Sequence, residues 1–288
     1  MLFYKKDIIK LSQYVKNLNY LDIGSRNNIS GWFKIIENKL NIIKFDEDED
    51  KILFDKENFK KFYLTENPLQ SSLFKPKLNQ IRYENNESRL NYKILDVKVN
   101  SLDNELKDYD RQIDLIKIDT QGSEYEILKG GMTIIKKDMP YIFLETWSEE
   151  YYEGITLFDE IITKMREIGY ELYLLDTAAS RRVDLKSIFK KNNFGRNKMT
   201  GFNLFLGPSL EYLINENDID RKVKRAFVLF IHNLISYSYK IVENENVDFK
   251  YQLKKIINKR IKFKFYYDFM ILFNYITRYK VLENHTLT

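Results

Sequence analysis

Over about the first 200 residues, short apolar runs closed by polar turns alternate with stretches of helical spacing. Such switching predicts strands and helices in turn. An amphipathic helix is expected over 7–17. Tyr20-Leu21-Asp22-Ile23-Gly24 then reads as a first strand entering a polar turn, Ser25-Arg26-Asn27-Asn28. Trp32, Phe33, Ile35, Ile36 and Leu40 follow a helical period, and 41–45 reads as a second strand ending at Asp46. Further strands are predicted over 51–54, 62–64 and 94–100, and a polar loop over 66–87. Leu115, Ile116 and Ile118 form the near-continuous apolar run of a strand buried on both faces, which delivers Asp119 to its carboxyl end. Gly122 permits a tight exit. Ser123 with Glu126 predicts a capping box, and Gly130-Gly131 a left-handed stop to the helix. A strand over 141–144 brings Glu145 to the same edge. An amphipathic helix over 158–168 and strands over 170–175 and 202–206 complete the series. The alternation predicts an α/β fold with a doubly wound, mostly parallel sheet.

Past residue 207 the pattern changes. Residues 226–242 and 250–280 carry aromatic and aliphatic side chains at three- and four-residue steps among Lys and Arg. Residues 208–288 hold 14 Lys and Arg against 9 Asp and Glu, so the whole net charge of +5 lies there. A balanced body over 1–207 and a basic, aromatic-rich helical extension over 208–288 are therefore expected. Three readings fit the extension: a packed helical cap or dimerisation surface, a membrane-surface anchor, and a nucleic-acid contact. The acids Glu243, Glu245 and Asp248 interrupt the basic face and favour the first, and no recognition motif accompanies the third. With no cysteine there are no disulfides, thiolate metal sites or thiol nucleophiles. No signal peptide is read at the start, and no run of about 18 apolar residues predicts a membrane span. A cytoplasmic protein is expected, with the membrane surface as a further location.

The strand ends carry the candidate chemistry, because ligands of open α/β sheets bind outside the carboxyl ends of the strands. Asp119, Gln121 and Glu124 lie there, although Asp119 could instead cap its turn. Asp46 follows Gly24 by 22 positions, near the separation at which such folds place a carboxylate on a ribose. A dinucleotide fingerprint needs three glycines, and only Gly24 is present, so a nicotinamide cofactor is disfavoured. The acidic run 46–50 lacks the ligand spacing of a calcium loop. His232 and His285, both in the extension, are the only histidines, so a histidine base in the body is unavailable, and Asp119 and Glu145 are the candidates. They would act as base and orienter; sharing a divalent cation is the second option.

Three stretches, LDIGSRN with KFDED after it, DLIKIDTQGSEYEILKGG, and YIFLETWSEEYYEG, together resemble the FkbM family of S-adenosylmethionine-dependent methyltransferases, class I and Rossmann-like in fold. The likeness covers about residues 18–207 and takes in Thr65-Glu66-Asn67-Pro68, Ser71-Ser72-Leu73 and Ser101-Leu102-Asp103. Asn27-Asn28 departs from it, standing where many members carry glycines. The resemblance implies an S-adenosylmethionine-binding domain over 1–207. Asp22, Gly24 and Ser25 would line the methionyl part, Asp46 would take the ribose hydroxyls, and Leu53 and Phe54 would flank the adenine. Ser71, Ser72, Gln121, Glu124 and Trp147 would face the acceptor, with Asp119 and Glu145 catalytic. The expected reaction is O-methylation of a hydroxyl, on a sugar of a surface polysaccharide or glycan. A secondary-metabolite acceptor, N-methylation, or a non-catalytic scaffold retaining the fold are alternatives. The expected partner is a glycan or other hydroxylated small molecule rather than nucleic acid, with peripheral membrane contact and a homo-oligomer as further options.

Overall fold

The computed structural model describes residues 2–24, 31–46, 51–77, 91–181, 198–262 and 264 of the 288. Its strands are β1 (Leu18–Ile23), β2 (Leu40–Phe45), β3 (Ile52–Phe54), β4 (Asn58–Thr65), β5 (Tyr92–Ser101), β6 (Leu115–Ile118), β7 (Tyr141–Trp147), β8 (Tyr170–Arg181) and β9 (Lys198–Pro208). Six of them form one sheet in the order β2-β1-β6-β7-β9-β8. The first four run parallel, and β9 is antiparallel to both its neighbours. This is the doubly wound, mostly parallel sheet that the alternation of strands and helices predicts.

Side-chain alternation divides the sheet into two unlike faces. One is aliphatic: Leu21 and Ile23, Ile116 and Ile118, Ile142 and Leu144, and Leu204 and Leu206 lie buried against Ile127, Leu128, Ile135, Ile161 and Met165. Those partners come from the helices Glu124–Gly130, Met132–Asp138 and Phe158–Arg166. The other face is aromatic and polar. Tyr20 stacks on Phe33 at 5.3 Å, Phe33 meets Phe143 edge-on at 5.1 Å, and Phe143 stacks on Phe205 at 4.3 Å. Phe33 comes from the 3₁₀ helix Gly31–Lys39, which is kinked at Ile36.

The remaining strands make a second sheet, β3-β5-β4, in which β5 pairs with β3 in parallel and with β4 in antiparallel. The sequence pattern predicts these strands but not their separation from the main sheet. Their pairing brings Ile52 opposite Val99, a long-range contact that local periodicity does not encode.

Two other local expectations are corrected. Ser123 makes no side-chain cap, and Glu126 pairs with Lys129 at 2.6 Å instead of closing a capping box. Gly131 has φ −112°, so the glycine pair is not a left-handed stop. The pair allows close packing: a Cβ on Gly130 would stand 2.2 Å from the Phe54 carbonyl oxygen, and one on Gly131 2.7 Å from Leu102.

The chain forms two compact units, one of residues Asn17–Tyr212 and one of Met1–Lys16 with Leu213–Thr288. The second unit is built on the helix Ile219–Ile231, which is buried nearly all round. Its charged residues are matched within the unit: Lys222 with Glu245 at 2.6 Å, and Arg221 with Glu216 at 3.0 Å. The single helix expected over 226–242 is two, Ile219–Ile231 and Ile235–Val242, broken where Asn233 takes φ 62°. The N-terminal helix Leu2–Ser12 joins these helices. The Tyr4 hydroxyl donates to the Phe230 carbonyl, and Arg260 pairs with Asp7 at 2.8 Å. Burial pushes His232 down to about 3, so it stays neutral at ordinary pH. No helix among the described residues is long and apolar enough to cross a membrane.

Candidate active site

At the carboxyl edge of the main sheet lies a cleft of about 310 Å³, within the size range of small-molecule sites. Strand order sets out its polar groups. Asp46 follows β2, Gly24 follows β1, Asp119 follows β6, and Glu145 sits on β7 one step beyond the Ile118 and Leu144 pair. Adjacent strands are about 4.8 Å apart, so Asp46 and Asp119 begin roughly 10 Å from each other. Phe45, Ile52 and Leu53 supply apolar wall beside Asp46, and Ser71, Gln121 and Glu145 line the cleft with Asp119.

Of the residues expected here, Gly24, Asp46, Leu53, Ser71, Gln121, Asp119 and Glu145 line the cleft. Asp22, Phe54, Ser72, Glu124 and Trp147 do not, and each is held by a specific contact. Phe54 follows Leu53 on a strand and turns the other way, its ring 6.0 Å from Phe74 and under the Lys60 ammonium at 4.4 Å. Trp147, expected to face the acceptor, is instead buried against Tyr151 and Tyr152 in a wall of packed rings. Ser25 lies outside the described residues, as do Asn27 and Asn28. The Gly24 N–H donates to the Phe45 carbonyl at 2.9 Å and so faces the protein rather than a ligand.

Asp22 belongs to a buried charge relay that sequence reasoning missed. It pairs in register with Lys117 across β1 and β6. The Lys117 ammonium stands 4.0 Å from Asp22 and 3.4 Å from Asp119, with only 14% of the lysine side chain exposed. Burial, with Asp22 beside it, raises the Tyr20 phenol well above its usual range. Lys117 reads in the sequence as a polar break in an apolar strand; a lysine on a strand buried on both faces was the available signal.

The loop carrying Asp119 is clamped from three sides. Gln121 takes the left-handed conformation at φ 58°, unusual for a non-glycine residue. Its carbonyl accepts from the Ser72 hydroxyl at 2.8 Å, and its side chain lies 3.2 Å from the Tyr152 hydroxyl. Beneath it the buried Glu124 carboxylate accepts from the N–H of Thr120 at 3.0 Å and of Gly122 at 2.9 Å. Ser72 and Glu124 therefore shape the Asp119 loop without lining the cleft. On the open side, the Gln121 amide nitrogen is 3.4 Å from Asp119, whose side chain is about one-third exposed at 32%.

Burial outweighs these backbone donors and pushes the Glu124 carboxyl up to about 7 from its usual 4.5. Between those values the folded chain holds more protons than the unfolded one. The stability contributed by this group is thus complete below about 4.5 and is lost as pH rises through about 7. Urea midpoints of the wild type and Glu124→Gln, measured across this window, should diverge by on the order of 3 kcal/mol, the wild type losing ground as pH rises. Parallel profiles would show that the carboxyl does not titrate there.

Among the described residues, no cluster of three or more His, Cys, Asp or Glu is placed to hold a metal ion. None of the curated proteins compared matches the chain. A solved structure from Streptococcus pneumoniae, described as a candidate tRNA (m1A22) methyltransferase, aligns over 87% of this chain and 98% of its own at 12% identity and a TM-score of 0.31. The methyltransferase FkbM domain model matches residues 26–172, from just past β1 into β8, and takes in the ends of β2, β6 and β7 that carry Asp46, Asp119 and Glu145. A match over half the chain, with the acidic strand ends gathered in one cleft, makes the protein a methyltransferase of the FkbM family.

Proposed function

We propose that the protein transfers the methyl group of S-adenosylmethionine to a hydroxyl of a sugar in a surface polysaccharide or glycan. One observation carries this reading: a single cleft joins Asp46, beside an apolar wall, to Asp119 and Glu145 two and three strands away. The donor set fits the nucleoside. A carboxylate after β2 suits a ribose diol, and Phe45, Ile52 and Leu53 offer apolar surface to a flat base. Gly24, between the two acids in strand order, lets the end of β1 approach the Asp119 loop closely, for a Cβ there would stand 2.3 Å from the Asp119 carbonyl oxygen.

When bound, the cofactor supplies a methyl group on a sulfonium, with a neutral thioether as leaving group. The protein's task is alignment and removal of one proton. Asp119 accepts the proton of the acceptor hydroxyl. Lys117 and Gln121, each 3.4 Å from it, hold its carboxylate in place from behind and from the side. Ser71 and Glu145, lining the same end, offer hydrogen bonds to neighbouring hydroxyls of a polyhydroxylated acceptor. That polarity is the support for a sugar.

Calorimetric titration with S-adenosylhomocysteine tests the cofactor end. Saturable binding is expected, weakened about 10- to 100-fold in Asp46→Ala, the value of charge-assisted hydrogen bonds to a diol. Binding of NAD in preference, or of neither nucleotide, would overturn the assignment.

A further inference from the structure

The described helix over 248–262 carries a cationic face that the core of its unit does not use. Residues 249–264 contain seven Lys and Arg and no Asp or Glu. Phe249, Leu253 and Ile256 point inward and are buried. Tyr251, Lys254, Lys255, Asn258 and Lys262 recur at helical spacing on the exposed side. Of the acids just before this helix, Glu243 pairs with Lys240 at 2.7 Å and Glu245 with Lys222 at 2.6 Å. Arg260 points back to Asp7 and over the rings of Tyr4 and Phe230, so it is structural.

The exposed face is not purely polar. Ile261 is 62% exposed and Tyr251 47%. Beside them, Ile235, Tyr239, Ile257 and Ile261 line a groove of about 450 Å³ between this helix and Ile235–Val242. Lysines interleaved with exposed aliphatic and aromatic side chains fit a headgroup layer. The lysines meet lipid phosphates while the apolar groups enter the acyl boundary. A nucleic acid would satisfy the lysines and leave Ile261 and the groove in water.

We propose that the 248–262 face docks on a membrane surface rich in anionic lipid, as a peripheral contact that does not span the bilayer. The inference does not rest on the acceptor proposed for the cleft.

Full-length protein is sedimented with vesicles of phosphatidylcholine alone and of phosphatidylcholine mixed with phosphatidylglycerol, over a series of salt concentrations. Binding should require phosphatidylglycerol and weaken as salt rises. The triple variant Lys254→Gln, Lys255→Gln, Lys262→Gln should bind roughly a hundredfold more weakly, and Ile261→Ser should bind less at every salt concentration. Circular dichroism melts and S-adenosylhomocysteine titration verify that the variants are folded, and the salt series on the wild type needs no variant. Absence of vesicle binding, equal binding to both vesicle types, or binding indifferent to the lysines overturns the proposal. So does binding of a short RNA duplex, lost in the triple variant, by protein that ignores the vesicles.

Discussion

Asp119→Asn should lower kcat by roughly 10²- to 10⁴-fold, the range expected when a positioned general base is removed, while leaving S-adenosylhomocysteine affinity within a few-fold of wild type. The split follows from the geometry. Asp119 lies two strands from Asp46, so the group proposed to take the ribose is untouched. Asparagine keeps the shape, and its one amide oxygen can still accept from Lys117, 3.4 Å from the native carboxylate, so only the long Gln121 contact is given up and the loop has little new reason to move. What is lost is the ability to accept a proton. Glu145→Gln, made in parallel, decides between the two carboxylates. If Glu145 only orients the acceptor, its variant raises KM more than it lowers kcat. A kcat within a few-fold of wild type for Asp119→Asn, with a collapse for Glu145→Gln, would move the base to β7.

The parts of this site that were legible in the sequence are those written in consecutive residues. Leu115 to Asp119 announces a buried strand ending in an acid, and the glycine at 122 announces its exit; both stand as read. What could not be read depends on partners far along the chain. Lys117 acquires meaning only once β1 lies beside β6 and puts Asp22 opposite it. Glu124 resembles an exposed residue of a first helical turn, yet the loop folds over its carboxylate and buries it. Trp147, Tyr151 and Tyr152 have the composition of a sugar platform, but composition does not show which way a ring faces, and here they face each other. The N-terminal helix has an evident apolar stripe, but its partner Phe230 lies more than 200 residues on. Local pattern thus fixed the strand ends, and non-local pairing decided which side chains at those ends open to solvent.

Gly24→Ala should cost about 2–4 kcal/mol of stability and reduce turnover as well, because this glycine meets two separate constraints. Its φ is +79°, where an L-residue pays roughly 1–2 kcal/mol. A Cβ there would also stand 2.3 Å from the Asp119 carbonyl oxygen and 2.8 Å from the Thr120 methyl. The first neighbour is backbone and cannot swing aside, since the Asp119 N–H is tied to the Ile23 carbonyl at 3.0 Å. Relief therefore requires β1 and the Asp119 loop to separate, which displaces the proposed base from the cleft. Gly154→Ala isolates the first constraint. Its φ is +78°, and a Cβ there meets nothing within 4 Å. Denaturant midpoints should accordingly place Gly24→Ala below Gly154→Ala by about 1–3 kcal/mol, the usual cost of overpacking, and only the former should lose activity. Equal destabilisation would mean that the β1 and β6 ends yield freely, and the close approach of Gly24 to the Asp119 loop would then not be what holds the acid in place.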